Sequence, residues 1–127
     1  MDFDEVVKKR KMIRKYQQDR QISTDIINKL LKNAHSSPSA GHTQVQEFIV
    51  VKDPIIKRKL CQASLGQSQI EEASGLIVVC SNTSRSVNRY RKRGTEFYSV
   101  IDGAFASMII LLSAVNEGIG ASFVGGI

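Results

Sequence analysis

Two cysteines, two prolines and no tryptophan occur among the 127 residues, and aromatic side chains make up 6% of the chain. Cys61 and Cys80 are too far apart in sequence for a CxxC pair. Thiols on apolar runs behave as small hydrophobes in a reducing compartment, so both read as structural. A redox pair would need their Cα atoms within ~7 Å. Residues 1–21 are charged throughout, which does not fit a signal peptide. The longest apolar run, Gly103 to Val115, has 13 residues. A bilayer span takes ~20, so this run reads as a core helix. Together these features lead us to expect a soluble, cytoplasmic protein.

Other absences remove whole classes of chemistry. No Gly-Lys-Ser or Gly-Lys-Thr is present, which excludes a Walker A loop. The glycines of Gly118-Ile119-Gly120-Ala121-Ser122-Phe123-Val124-Gly125-Gly126 follow a predicted helix and precede a predicted strand. A dinucleotide fingerprint needs strand, turn and then helix, so the Rossmann reading is rejected. His35 and His42 lie seven residues apart across a proline-containing loop, with no cysteine or acidic ligand at zinc spacing. No nucleophile elbow is present for a Ser-His-Asp or Cys-His arrangement.

What remains is an ordinary globular composition with a basic bias. Hydrophobic residues are 42% and charged residues 24% of the chain, as expected of a folded domain. Residues 1–127 fit a single domain. The formal charge is +6, from 18 Lys and Arg against 12 Asp and Glu, which favours anionic partners.

Residues 3–10 predict a short helix with Phe3, Val6 and Val7 on one side. Ser23 is a candidate N-cap for an amphipathic helix carrying Ile26, Ile27, Leu30, Leu31 and Ala34. The turn-rich stretch from Ser36 to Gly41 ends it. Glu47 to Lys52 is a β-branched run and predicts a strand. Asp53-Pro54 then starts a helix, with Asp53 as N-cap and Pro54 at its first position. Leu76 to Cys80 predicts a second strand. The polar, basic segment from Ser81 to Thr95 reads as a loop. A long helix is predicted over Glu96 to Glu117, apolar on nearly all sides, with Gly118 as its stop. Ala121 to Ile127 read as the start of another strand.

Three segments could carry chemistry. In Lys8-Lys9-Arg10-Lys11 with Arg14-Lys15, a helix or tight turn would place Arg10 and Arg14 on one face, able to converge on a phosphate. A solvated helix face and a nucleic-acid patch are the alternatives, although no aromatic platform or recognition helix supports the latter. Pro38 to Gln44 offers small residues for close ligand approach, with His42 and Gln44 able to bond a polar ring edge. An ordinary helix-to-strand loop has the same composition. The glycine-rich end from Gly118 to Gly126 is the third.

In this order, the segments resemble the nitroreductase family of flavoproteins. Arg10-Lys11-Met12-Ile13-Arg14-Lys15-Tyr16 is similar to its N-terminal Arg-Arg-Ser-x-Arg-x-Tyr/Phe motif. Ser37-Pro38-Ser39-Ala40-Gly41-His42-Thr43-Gln44 resembles its Ala-Pro-Ser-Ala-x-Asn-x-Gln-Pro-Trp motif. Phe48 to Pro54 matches the strand that follows, and Asp102 to Gly126 is similar to the central helix and its Gly-Leu-Gly-x-x-Trp-x-Gly ending. The resemblance implies an α+β fold with a central antiparallel sheet flanked by helices, and a homodimer with FMN at the subunit interface.

The same resemblance would place Arg10, Lys11, Met12 and Arg14 around the FMN phosphate and the polar flavin edge. Pro38, Ser39 and Ala40 would line the cofactor from the partner subunit, with His42 and Gln44 close by. Phe123, Val124 and Gly125 would lie along the isoalloxazine. The implied activity is NAD(P)H-dependent reduction of the flavin, which then reduces a small electron acceptor such as a nitro or quinone compound. The chemistry would belong to the cofactor, so no catalytic side chain is named. Two departures stand out: Met12 replaces the usual Ser, and Val45-Gln46 replaces Pro-Trp. Family members also continue for roughly 40 residues or more beyond the last motif, so the C-terminal part of the fold is expected to be missing. The rival expectations are a flavin-free dimeric member with a binding role and a basic nucleic-acid-binding domain.

Overall fold

The longest apolar run becomes the element on which the others pack. In the computed structural model, which describes residues 1–127, helix α6 spans Ser99–Asn116. Preceding it are α1 (Phe3–Lys9), α2 (Thr24–His35), β1 (Gln46–Val51), α3 (Pro54–Ala63), α4 (Ser68–Glu72), β2 (Leu76–Ser81) and α5 (Ser84–Arg93). α1, α2 and both strands lie along α6. Ala34 on α2 and Ala106 on α6 have no exposed surface, and Ala114 has almost none. Such small side chains let α2 and α6 approach closely. Ile27, Leu30 and Leu111 are also buried.

The strands pair antiparallel, from Gln46 opposite Ser81 to Val51 opposite Leu76. Two strands alone are marginal in water, so this sheet depends on α6. The architecture is α+β, with a small antiparallel sheet among helices.

Local chemistry explains the boundaries. The Ser23 hydroxyl accepts from the Ile26 amide at 3.2 Å and starts α2. Asp53 Oδ1 accepts from the amides of Ile55 at 2.8 Å and Ile56 at 3.1 Å, with Pro54 in the first turn of α3. Gly118 adopts φ 72° after α6, where a side chain would be strained.

Three expectations fail and one short helix goes beyond them, each for a local reason. Ser81 to Thr95 is not a loop: Ser84–Arg93 is helical, and just before it the Asn82 side chain accepts from the Ser84 amide at 3.3 Å and the Ser84 hydroxyl at 2.6 Å. With Val87 and Tyr90 as its only large apolar side chains, too few residues mark the inner face of this helix to reveal it. At Arg91 it is broken (φ 50°, ψ −130°), and a π-turn over Gly94–Tyr98 feeds α6. α4 was not foreseen, because five residues are too few to show a period. Ala121 to Ile127 form no strand and make one backbone bond to the N-terminal segment, Ile13 N–H to the Ala121 carbonyl at 2.9 Å. Finally, α1 ends at Lys9, Arg10 is extended (φ −62°, ψ 125°), and neither helix nor turn runs on through Arg14, so no local element puts Arg10 and Arg14 on one face.

One face of the stretch from Gly94 to Asn116 is left uncovered. Phe97, Val100, Phe105 and Met108 are 56, 67, 45 and 46% exposed and recur at helical spacing. Taken as one helix across the break at Arg91, Ser84–Asn116 is long and apolar enough to cross a bilayer by length and composition alone. Asp102 is buried on its other side, where α1, α2 and the sheet pack along α6.

Candidate functional site

The two ends of α6 each gather one group of candidate residues. At its C-terminal end, the segment after α1 runs beside the segment after α6. Beyond the Ile13–Ala121 bond, the Phe123 amide donates to Met12 Sδ at 3.4 Å. The hydroxyls of Tyr16 and Ser122 are 2.9 Å apart. Gly120 allows this approach, since a Cβ there would lie 2.9 Å from Ile13 Cγ2. A cleft of about 260 Å³ results, lined by Arg10, Lys11, Ile13, Leu111, Val115 and the stretch from Gly118 to Ala121. Arg10 is half-buried, while Lys11 and Arg14 are exposed. The five ion pairs of the chain use none of these three cations. Phe123 and Gly125 are exposed and Val124 half-buried. Three unpaired cations beside a strip of accessible backbone suit a phosphorylated, flat ligand.

At the N-terminal end of α6 lies the loop from Pro38 to Gln44. A 3-10 turn occupies Ala40–His42. His42 (φ 56°) and Gln44 (φ 51°) are left-handed, beside Gly41 (φ 57°). Each such non-glycine residue costs about 1–3 kcal/mol and persists only where its surroundings impose it. The surroundings here are dense in hydrogen bonds. Ser39 Oγ accepts from the Gln44 amide at 2.8 Å, and the Thr43 hydroxyl donates to the Ala40 carbonyl at 2.9 Å. From α5, Arg85 donates to the Gln44 carbonyl at 3.0 Å and pairs with Glu47 at 2.7 Å. Arg89 donates to the Gly41 carbonyl at 3.4 Å. His42 and Gln44 project from this clamped loop with exposed side chains.

Beneath the loop is a residue to which the sequence reading assigned no role. Asp102 is 2% exposed and accepts from the Ala40 amide, Oδ1 at 3.1 Å and Oδ2 at 3.3 Å. Burial raises its carboxyl above the usual range, and the Ala40 hydrogen bond opposes that shift. A lone acid inside an apolar helix was the available signal. Gln46, where the aromatic of the motif is replaced, is also buried. Its Nε2 donates to the Pro38 carbonyl at 2.9 Å and to the Asp102 carbonyl at 3.0 Å. The missing aromatic buttress is thus a polar one.

Within one chain the two groups stay apart. Asp102 marks one and Leu111 to Val115 the other, so at roughly 1.5 Å per helical residue they lie about 14–20 Å apart along α6.

The nitroreductase family model matches residues 7–83, which is more than half of the chain. The chain belongs to the nitroreductase family. A relative in Archaeoglobus fulgidus, provisionally named an NADH dehydrogenase/NAD(P)H nitroreductase, is 39% identical over 116 residues, covering 91% of this chain and 63% of that protein. The FMN reductase (NADPH) of Bacillus subtilis is 27% identical over 120 residues, covering 86% of this chain and 48% of that protein. Nitroreductase A of Vibrio parahaemolyticus superposes with a TM-score of 0.86 at 20% identity, over 97% of this chain and 54% of that one. The last similarity concerns the fold alone. The chain therefore spans about half to two-thirds of the length of these nitroreductase relatives.

Proposed function

We propose that this nitroreductase-family chain is an NAD(P)H-dependent flavin oxidoreductase that holds FMN between two copies of itself. The observation that carries the reading is the cleft at the C-terminal end of α6, lined by Arg10 and Lys11, with Arg14 on the adjoining segment; none of the three cations has a carboxylate partner. Charge-assisted donors beside a half-enclosed cleft fit a phosphate dianion, and the backbone from Phe123 to Gly125 fits the edge of a planar ring. Met12, whose sulfur already accepts from Phe123, supplies packing where Ser would supply a hydroxyl.

In this reading Arg10 and Arg14 hold the phosphate, with Lys11 and Met12 toward the polar ring edge. Pro38, Ser39 and Ala40, with His42 and Gln44, act on the flavin of the other copy. A two-fold axis across the middle of α6 supplies that geometry, because it sets the N-terminal end of one α6 against the C-terminal end of the other. The uncovered stripe of Phe97, Val100, Phe105 and Met108 provides an apolar surface for the contact. Bound flavin would accept hydride from NADH or NADPH and reduce a small acceptor such as a nitro or quinone compound. The chain's own contribution is to bind, orient and bring cationic charge near the ring edge, which favours the anionic reduced form. We read residues 1–127 as one domain acting in the cytoplasm.

Purified protein is expected to be yellow, with about one FMN per chain, and to oxidise NADH or NADPH when an acceptor is added. A folded, colourless protein that FMN fails to reconstitute contradicts the reading.

A further inference from the structure

We propose that Asp102 is a positioning residue for the flavin site: its buried carboxylate, accepting the Ala40 amide, sets the conformation of the loop from Pro38 to Gln44. This rests on the flavin reading above for its functional consequence, and on geometry alone for its structural one. Asp102 is the only residue of α6 hydrogen-bonded to that loop through its side chain, and no cation closes on the carboxylate. A buried carboxylate without an ion-pair partner is costly, and here it has an acceptor duty that an apolar side chain cannot meet. That duty is visible at Ala40, the first residue of the 3-10 turn, whose N–H is otherwise an orphan donor.

The carboxylate does not act alone. Gln46 ties the Pro38 carbonyl to the main-chain carbonyl of the same Asp102, so both ends of the Pro38–Ala40 segment refer to one residue of α6. Downstream, the left-handed residues His42 and Gln44 are set by the turn that Ala40 begins, and the Gln44 amide closes on Ser39. Releasing Ala40 therefore releases the residues that carry the loop's two exposed polar side chains. Asp102 touches no cofactor; it acts through the loop.

Amide hydrogen exchange and FMN titration of the purified protein test this together. Asp102→Leu is expected to speed exchange at Ala40 and Gln44 about tenfold over the change in α2 and β1, and to weaken FMN binding about tenfold, the loss of one charge-assisted hydrogen bond. Asp102→Asn keeps an acceptor oxygen and is expected to restore both to within about threefold. Should D102L not fold, Ala40→Pro removes the same N–H from the loop side. Ser39 is already extended (φ −141°, ψ 150°), as a residue before proline must be, so A40P is expected to reproduce the FMN loss. Unchanged exchange at Ala40 in D102L overturns the proposal. So does a uniform rise through α2 and β1 with full recovery in D102N, which makes Asp102 a stability residue only. If the unaltered protein takes up no FMN, the flavin reading falls, and the exchange data still decide whether Asp102 sets the loop.

Discussion

The two ends of α6 are built on opposite principles. At the N-terminal end, polar groups are spent on one another: Asp102 on Ala40, Gln46 on Pro38, Arg85 on Gln44 and Glu47. At the C-terminal end the main chains of two segments are joined by a few bonds, and Arg10, Lys11 and Arg14 are left without partners. A saturated network holds a shape, while unpaired cations wait for an anion. In the proposed reading one end holds shape and the other binds, and a symmetric pair of chains would bring the two together.

The largest expected effect comes from breaking that pairing. Phe105→Asp puts an unpaired charge in the apolar stripe and should cost about 3–5 kcal/mol of association. Under the proposed pairing, sedimentation velocity is expected to show a dimer for the unaltered protein and monomers for the variant, with bound FMN lost in parallel. Retained flavin in a monomer would confine the site to one chain.

A smaller change sharpens the binding end. Arg14→Ala should weaken FMN binding by ~1.5–3 kcal/mol, read by fluorescence titration, with thermal stability barely moved. Unchanged affinity would remove Arg14 from the phosphate site.

The smallest effect concerns the shape-holding end. Because burial raises the Asp102 carboxyl, the folded state holds that proton more tightly than the unfolded state does. The stability so gained is complete below the ordinary value of 3.8 and is lost as pH rises through the raised one. Urea midpoints measured from about pH 4 to neutrality should therefore fall less steeply in Asp102→Asn than in the unaltered protein. Parallel curves would place the titration elsewhere.

Much of this was legible before any coordinates. Ser23 and Asp53 announce their helices because capping is local chemistry, and β1 and β2 show as β-branched runs. The long helix was visible as an apolar run, although its start was set near Glu96 rather than at Ser99, since a π-turn has no sequence signature. α5 was hidden because only Val87 and Tyr90 mark its apolar side. On the site, the ordered motifs pointed to Arg10 through Arg14 and Pro38 through Gln44. They did not point to Asp102, Gln46, Arg85 or Arg89, whose roles depend on segments 8 to 62 residues distant in sequence. Non-local polar contacts leave little trace in a single sequence.

The claim that one flavin site needs two copies can be tested by mixing. Arg14→Glu damages the binding end, and Gly41→Val damages the loop, where a Cβ would collide with Tyr90 and Arg89 and the backbone is left-handed. Each variant alone is expected to hold FMN weakly. In a purified mixed dimer, one site then carries both defects and the other carries none. Tight binding of about one FMN per mixed dimer is the result predicted for a shared site. Mixed dimers that bind no FMN tightly would contradict it, because every site built within a single chain would still carry one defect.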